Sequence, residues 1–276
     1  MAQITASAVM ELRQRTGLPM MDCKKALQES GGDQEAAETL LRKQGIKTAE
    51  TRIGRETTAG RIAIYTDLAK GVGAMVELQC ESAPVAASAE FVQYANDLAK
   101  QLALGPGAKT PDDLLKQPSA SKPGQTLGEV KDDMFNRIRE VFNLARIVRI
   151  DAPAGGYAHH TGTTGALLEV EGGNPDVAKE IAMHIAAMRP LVVAKEDLDP
   201  KDVEKERDIL TEAARKEGKP ENILAKMVEG RMKNFYADKV LAEQPFVKDD
   251  KKTVGAVANE AGMKLKRFVR WELAKA

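Results

Sequence analysis

The sequence predicts an α+β fold with a core of two related subdomains, in which small antiparallel sheets are backed by helices. Apolar residues recur with the period of helices over the first 45 positions and with the period of strands after residue 60. A strand-then-helix pattern occurs twice in the same order. A Gly-Lys-Pro break between two charged segments adds an antiparallel helical hairpin to this core.

The first two helices are predicted from their ends and their apolar faces. The first begins near Thr5 or Ser7, contains Val9 and Leu12, and stops at Thr16-Gly17. Pro19 suits the first turn of the second helix, because its missing N–H has no partner there in any case. That helix then carries three apolar residues on one face: Met20, Cys23 and Leu27.

A third helix completes a compact N-terminal unit. Asp33 is its expected N-cap and Gly45 its C-terminal stop. The residues expected to face inward are Ala36, Ala37, Leu40 and Leu41. Residues 46–60 lose periodicity and are interpreted as a linker or an extended lead-in.

The first core half begins where the period changes to two. Ile62 and Ile64 open a strand, and after a turn at 71–73 a second strand alternates through Val76, Leu78 and Cys80. A loop at 81–88 leads to a helix with an apolar stripe of Phe91, Tyr94, Ala95, Leu98 and Leu102. The Pro-, Gly- and Ser-rich residues 105–125 predict a mobile surface excursion, and Thr126 caps the next helix.

The second half repeats this order. A strand at 147–150 leads through a His-containing turn to residues 166–170, whose sequence resembles that of 74–78. A helix with Val177, Ile181, Ile185 and Met188 follows, as the helix at Phe91 follows the first pair of strands. We therefore predict two related halves.

The last third predicts the hairpin and one more strand. Asp199-Pro200 starts a charged helix, and Gly218-Lys219-Pro220 separates it from a second helix. At ~1.5 Å per residue, each arm of ~17 residues reaches about 25 Å, enough to project from the core. A short helix after Thr253 precedes a strand that alternates through Leu265, Val269, Trp271 and Leu273.

Composition narrows the possible partners and the compartment. The 41 basic and 41 acidic residues cancel, and aromatic residues are only 4%, so neither nucleic acid nor an anionic membrane is an expected partner. Only Cys23 and Cys80 occur, without a disulfide framework, as is typical of a reducing compartment. The N-terminus lacks a signal-peptide pattern, and no stretch approaches 18 apolar residues, which predicts a cytoplasmic protein.

The sequence contains no constellation of residues typical of an enzyme. The segment 105–110 (GPGAKT) does not belong to a phosphate-binding loop, because that motif requires glycines at 103 and 108 and both positions are alanine. His159, His160 and His184 have no zinc-like spacing, and both cysteines fall on apolar faces. We therefore expect no catalytic residues, no metal and no cofactor, and a protein that works by docking onto a partner.

The adjacent Met20 and Met21 leave two alternatives open. On a helix both cannot face the same narrow core, so one is expected at the surface, where the adaptable thioether suits docking. Alternatively, both belong to a wide apolar face. The pattern alone favours neither alternative.

The chain resembles the translation elongation factor Ts family in several blocks that follow the family's order. The N-terminal signature comprises LRQRTG at 12–17 and MMDCKKAL at 20–27, although Pro19 replaces a small residue. Later blocks are AMHIAA at 182–187, GKP at 218–220, KMVEGRMK at 226–233, QPFV at 244–247 and KTVG at 252–255.

This resemblance implies a fold, a partner and domain boundaries. Residues 1–55 would form a ubiquitin-associated-like three-helix docking domain with its linker, 56–145 the first core subdomain, and 146–276 the second, with the projecting hairpin inserted at about 195–240. The partner would be elongation factor Tu, a GTPase, and the activity guanine-nucleotide exchange. The sequence does not predict the oligomeric state.

The resemblance also implies which residues meet the partner. Arg13, Met20, Met21 and His159 match family positions that contact elongation factor Tu. The family's wedge loop, whose acid and aromatic enter the partner near its magnesium site, corresponds here to Ser82, Ala83, Pro84 and Val85. Phe91, which follows this loop, is also expected to bind the partner. Ala83 and Pro84 replace the acid and the ring. The alternative is therefore a binding module that holds its partner but has lost or weakened exchange.

Overall fold

A computed structural model of the chain describes residues 4–52, 54–217 and 220–275. The elements of its first half are α1 (Ala6–Thr16), α2 (Met20–Glu29), α3 (Gln34–Glu50), β1 (Ala59–Asp67), β2 (Val72–Cys80), α4 (Ala83–Ala86), α5 (Ala89–Leu104), α6 (Pro111–Leu115), α7 (Leu127–Ile138) and β3 (Asn143–Ile150).

The second half comprises β4 (Ala154–Ala158), β5 (Thr164–Gly172), α8 (Pro175–Met188), α9 (Pro200–Lys216), α10 (Glu221–Lys239), β6 (Pro245–Phe246), β7 (Asp249–Thr253), α11 (Val254–Glu260) and β8 (Met263–Glu272). The sheets have the strand orders β1-β2-β3, β4-β5-β8 and β6-β7. This is the predicted α+β fold with small antiparallel sheets, and β2–α5 and β5–α8 follow the same strand-then-helix order. That the two halves are related stays a prediction.

The chain divides into two compact units. The first unit combines Met1–Arg61 with Val76–Ile147, and the second combines Ile62–Met75 with Val148–Ala276. None of the helices within the described ranges is long and apolar enough to cross a membrane.

In the first unit, α1, α2 and α3 share one core, and their ends follow local rules. The Thr5 hydroxyl caps α1 by accepting from the Ala8 N–H at 3.2 Å, and Gly17 ends it in the left-handed conformation at φ 68°. Asp33 caps α3 as predicted. The buried residues of this core are Val9, Leu12, Leu18, Cys23, Ala26, Leu27, Ala37 and Leu41.

The predicted stop of α3 at Gly45 is wrong, because the helix continues to Glu50. Gly45 is instead a close-approach position: a Cβ built there would lie 1.8 Å from Oδ1 of Asn136, on α7. The missing side chain therefore lets α3 pack closely against α7. The predicted linker accordingly begins after residue 50, and Ala36 is exposed rather than inward-facing.

The rest of the first unit packs α5, α6 and α7 together. The apolar stripe of α5 is buried as predicted, and Tyr94 donates its hydroxyl to the Leu127 carbonyl at 2.8 Å. The segment 105–125 is more than a surface excursion, because it contains α6 with a fully buried Leu114. Thr126 and Glu129 form a capping box at the start of α7.

In the second unit, α8 and α11 cover the sheet β4-β5-β8. A β-bulge at Glu169/Val170 shifts the register of β8, so Leu265 packs against one core cluster and Val269 and Trp271 against another. The prediction that the apolar residues of this strand alternate onto a single face is therefore wrong.

Helices α9 and α10 pack on one another through a small apolar core of Ala214, Leu224, Val228 and Met232. Ion pairs join Arg207 to Glu229 and Arg231 to Glu217. The predicted break at Gly218 and Lys219 lies outside the described residues.

Candidate functional site

Both methionines at the start of α2 are exposed. Met20 is 45% and Met21 60% accessible, and Met10 on α1 is 53% accessible. Met20 was expected on the apolar face, but Leu18, which precedes the helix and is 6% exposed, fills that end of the core. The alternative of a wide apolar face is therefore excluded, and α1 and α2 carry exposed thioethers at three positions.

Arg13 lies on the exposed surface of α1. Its carbonyl accepts the N–H of Gly17 at 2.8 Å, which is the hydrogen bond that closes the C-terminal end of α1. No ion pair is formed by the Arg13 guanidinium with any other described residue. The side chain is thus available to an acidic group on a partner.

Residues 82–86 form a helical turn, not the predicted irregular loop. Ala86 donates its N–H to the Ser82 carbonyl at 3.1 Å, and Pro84 stands in the first turn, where its fixed φ suits a helix. Ala83 and Pro84 are exposed, Val85 is half-buried and Ala86 is buried. The turn therefore presents Ala83 and Pro84 outward.

Glu140 holds this turn from a distant part of the sequence. Its carboxylate accepts the Ser82 hydroxyl at 2.6 Å and the Ser82 N–H at 3.1 Å. Beside it, Glu81 accepts the Val141 N–H at 2.9 Å. Two carboxylates, one on each chain segment, thus join residues 81–82 to residues 140–141.

The adjoining residue, Arg139, reaches the N-terminal helices. It ends α7 in the left-handed conformation at φ 65°, and its guanidinium pairs with Asp22 on α2 at 3.0 Å. Asp22 directly follows Met21 in the sequence. We call residues 139–142 the bridging segment, because it contacts both α2 and the turn at 82–86.

Phe91 is fully buried and lies beneath this surface. Its ring centroid is 5.7 Å from that of Phe142, the last residue of the bridging segment. Ser88 caps α5 by accepting the Phe91 N–H at 3.3 Å. In the free chain, Phe91 therefore acts as packing support, and its contact with a partner stays a prediction.

His159 lies in the turn between β4 and β5, in the second unit. It is half-buried, Nδ1 lies 2.8 Å from the Thr161 hydroxyl, and its ring centroid lies 4.2 Å from that of the exposed His160, with the two rings tilted by 44°. The backbone N–H of His159 donates to the Thr164 carbonyl at 2.9 Å. These contacts hold the imidazole in a defined place on a tight turn.

The remaining candidate reactive side chains belong to the core. Burial raises the pKa of the Cys80 thiol to about 11, which keeps it protonated and unreactive. His184 is fully buried. Val247 donates its N–H to Nδ1 of His184 at 3.2 Å, so Nε2 carries the proton and donates to Oε1 of Gln244 at 2.9 Å.

Sequence reasoning missed the bridging segment and Met10. Arg139 and Glu140 follow a helix end without any motif, and their partners are 117 and 58 residues away in the sequence. The pairing could not be read from periodicity, which reports only neighbours three or four positions apart on a helix.

Comparisons with known proteins agree on one family. The family model described as Elongation factor TS matches residues 81–275. Relatives named Elongation factor Ts match nearly the whole chain. The one from Methylococcus capsulatus is 41% identical over 275 residues, covering 99% of this chain and 92% of its own length. The one from Thioalkalivibrio sulfidiphilus is 39% identical with the same coverage, and that from Aquifex aeolicus is 39% identical over 283 residues, covering 98% of each chain.

Proposed function

The chain belongs to the elongation factor Ts family of translation elongation factors, and we propose that it accelerates the release of GDP from elongation factor Tu by docking non-covalently near the nucleotide and its magnesium ion. The observation that carries this proposal is the exposure of Met20 and Met21 on α2 and of Ala83 and Pro84 on the turn at 82–86. The bridging segment contacts these two elements through Asp22 and Ser82. In this function the protein is not an enzyme, needs no cofactor and acts in the cytoplasm.

The parts of the fold take distinct roles in the proposal. Helices α1–α3 act as the ubiquitin-associated-like docking domain that grips the GTPase, with Arg13 and the two methionines as contacts. The turn at 82–85 and His159 meet the partner near the nucleotide. Helices α9 and α10 form the projecting hairpin, which supplies anchoring.

Exchange follows from linkage between two binding equilibria. A nanomolar GDP affinity corresponds to about −12 kcal/mol. A factor that binds the nucleotide-free GTPase better than the GDP-bound form must weaken GDP binding by the same ratio. A 10³-fold effect needs roughly 4 kcal/mol of differential binding. No covalent step is required.

The size of the effect on GDP release depends on the wedge loop, in which Ala83 and Pro84 replace the family's acid and aromatic ring. Pro84 buries less apolar area than the family's phenylalanine, so the turn supplies about 1–2 kcal/mol less from burial. Its fixed φ, together with the Glu140 contacts, means that less entropy is lost when the turn docks. A stiff, small wedge therefore partly offsets the missing ring.

Stopped-flow release of a fluorescent GDP analogue from elongation factor Tu of the same cell tests the proposal. We expect the release rate to rise with factor concentration to a plateau far above the intrinsic rate. No acceleration at saturating factor would overturn the proposal.

The double substitution Ala83→Asp with Pro84→Phe rebuilds the family wedge and separates exchange from simple holding. A small gain in rate supports a working exchange factor. A large gain at nearly constant affinity favours the alternative of a binding module with weakened exchange. Pro84→Ala is the matched control, since it removes the fixed φ without adding area.

A further inference from the structure

The turn at Ser82–Ala86 lacks the support that a short helix normally carries within itself. An N-cap serine usually accepts an N–H of the first turn through its hydroxyl oxygen, but Ser82 makes no such bond. Its hydroxyl donates instead to Glu140 at 2.6 Å. Because a single helical turn is costly to form alone, four residues do not hold this shape in water without outside contacts.

Glu140 supplies those contacts in a bidentate arrangement. One carboxylate oxygen accepts the Ser82 hydroxyl and the other the Ser82 N–H, at 2.6 and 3.1 Å. Hydrogen bonds to an ionised acceptor are stronger than neutral ones. Both bonds end on the first residue of the turn, so they set the direction in which the following Ala83 and Pro84 point.

The carboxylate is itself held in place by its neighbours in the bridging segment. Arg139 before it pairs with Asp22 at 3.0 Å, and Val141 after it donates to Glu81 at 2.9 Å. Phe142 packs on the buried Phe91. Glu140 therefore stands on a segment anchored on both sides, with one anchor on the helix that carries Met20 and Met21.

We propose that Glu140 is the positioning residue that fixes the Ser82–Ala86 turn in its docking conformation and sets its place relative to the methionines of α2. This inference rests on the proposed exchange function. Glu140 acts through Ser82 and the bridging segment, and the docking atoms are those of Ala83 and Pro84. Fixing the turn before docking means that less ordering is left to be done at the encounter.

The test compares Glu140→Ala, Glu140→Gln and Ser82→Ala in the full chain by GDP release at increasing factor concentration. We expect Glu140→Ala to lower the plateau rate about tenfold, the order for losing a hydrogen bond to a charged group. Glu140→Gln keeps one acceptor and Ser82→Ala keeps the N–H bond, so each should lower it about threefold. Adding Ser82→Ala to Glu140→Ala should change nothing further, because both remove the same contact.

Two further measurements separate positioning from loss of fold. Hydrogen exchange of the free chain should show faster exchange of the Ser82 amide in Glu140→Ala, with α5 and α7 unchanged. Glu260→Ala, which removes an exposed carboxylate paired with Lys252 at 2.6 Å, is the matched control and should keep the wild-type plateau.

The outcomes are distinct for the two proposals. A wild-type chain that does not release GDP overturns the proposed function and this inference with it. An active wild type with an unchanged plateau in Glu140→Ala overturns the inference alone. A lower plateau without faster Ser82 exchange also overturns it, because the loss then does not come from freeing the turn.

Discussion

Arg146 on β3 places its guanidinium 2.6 Å from the carboxylate of Glu77, a side chain on β2 that is only 1% exposed. Glu77 lies between the buried residues Val76 and Leu78, on a strand that was predicted to alternate. It also accepts the side-chain N–H of Gln79 at 2.6 Å. A charge at this depth is tolerated because these donors replace the water that the carboxylate has lost.

Arg146→Ala should therefore destabilise the protein strongly. The substitution leaves a buried carboxylate without its cation, and we expect a loss of about 2–4 kcal/mol in the free energy of unfolding. Urea unfolding followed by far-UV circular dichroism measures it. Lys252→Ala, which breaks an exposed ion pair, is the matched control and should leave the midpoint unchanged. Equal midpoints for the two variants would contradict the expectation.

Two glycines in helices should respond to alanine with opposite signs. Gly45→Ala places a Cβ against the amide of Asn136, so α3 and α7 must separate, at a cost of about 1–3 kcal/mol. Gly230 on α10 has no atom within 4 Å of a built Cβ, and Gly230→Ala should stabilise by about 0.5–1 kcal/mol. Both substitutions make the same change in helix propensity. If Gly45→Ala also raised the melting temperature, the close approach would not be the reason for that glycine.

Stability should fall in mild acid because of His184. Burial lowers the pKa of this imidazole below 6.5, and the hydrogen bond to Gln244 only partly opposes the shift. The unfolded chain thus binds a proton at a higher pH than the folded chain, so the His184 contribution is complete above about pH 6.5 and is lost as pH falls towards the folded-state pKa. Melting temperatures between pH 8 and 5 measure this loss. His184→Gln removes the titrating group, and an equally steep decline in that variant would contradict the assignment.

Arg139→Ala and Arg139→Gly both delete the ion pair with Asp22, but we expect them to differ in stability because residue 139 has a left-handed backbone conformation. A non-glycine residue at φ 65° carries strain that glycine does not. We therefore expect Arg139→Ala to be about 1 kcal/mol less stable than Arg139→Gly. Chemical denaturation of both variants provides the comparison. The opposite order would mean that this helix end changes shape when the arginine is removed.

The exposed methionines of α2 should matter for partner affinity and hardly at all for folding. Met21→Ala, at a side chain 60% exposed, should weaken binding to nucleotide-free elongation factor Tu about fivefold, as expected for a contact worth roughly 1 kcal/mol. Its free energy of unfolding should stay within about 0.5 kcal/mol of wild type. Met188→Ala changes a methionine 47% exposed on α8 and is the matched control. Calorimetric titration should separate the two, and equal affinities would argue against the docking role of Met21.

Caps and apolar stripes were predictable wherever the interacting residues are close in sequence. The Thr5, Asp33 and Thr126 caps bond to residues three positions away, and the stripe of α5 repeats within one helix. The prediction at Gly45 was wrong because glycine serves both as a helix stop and as a contact glycine. Which of these two roles a glycine has depends on whether another helix packs against it. The residues near it in sequence do not show this.

The sequence by itself determined the α+β class, the order of most elements and the family, since periodicity, caps and short blocks that resemble the family are local features of the chain. The tertiary structure decided which side chains form the surface: that Met20 is exposed, that Glu77 and His184 are buried, and that Glu140 holds Ser82. The last three depend on partners that lie 58 to 69 positions away in the sequence: Arg146 for Glu77, Gln244 for His184 and Ser82 for Glu140. Burial and charge pairing arise only when those segments meet in the folded chain.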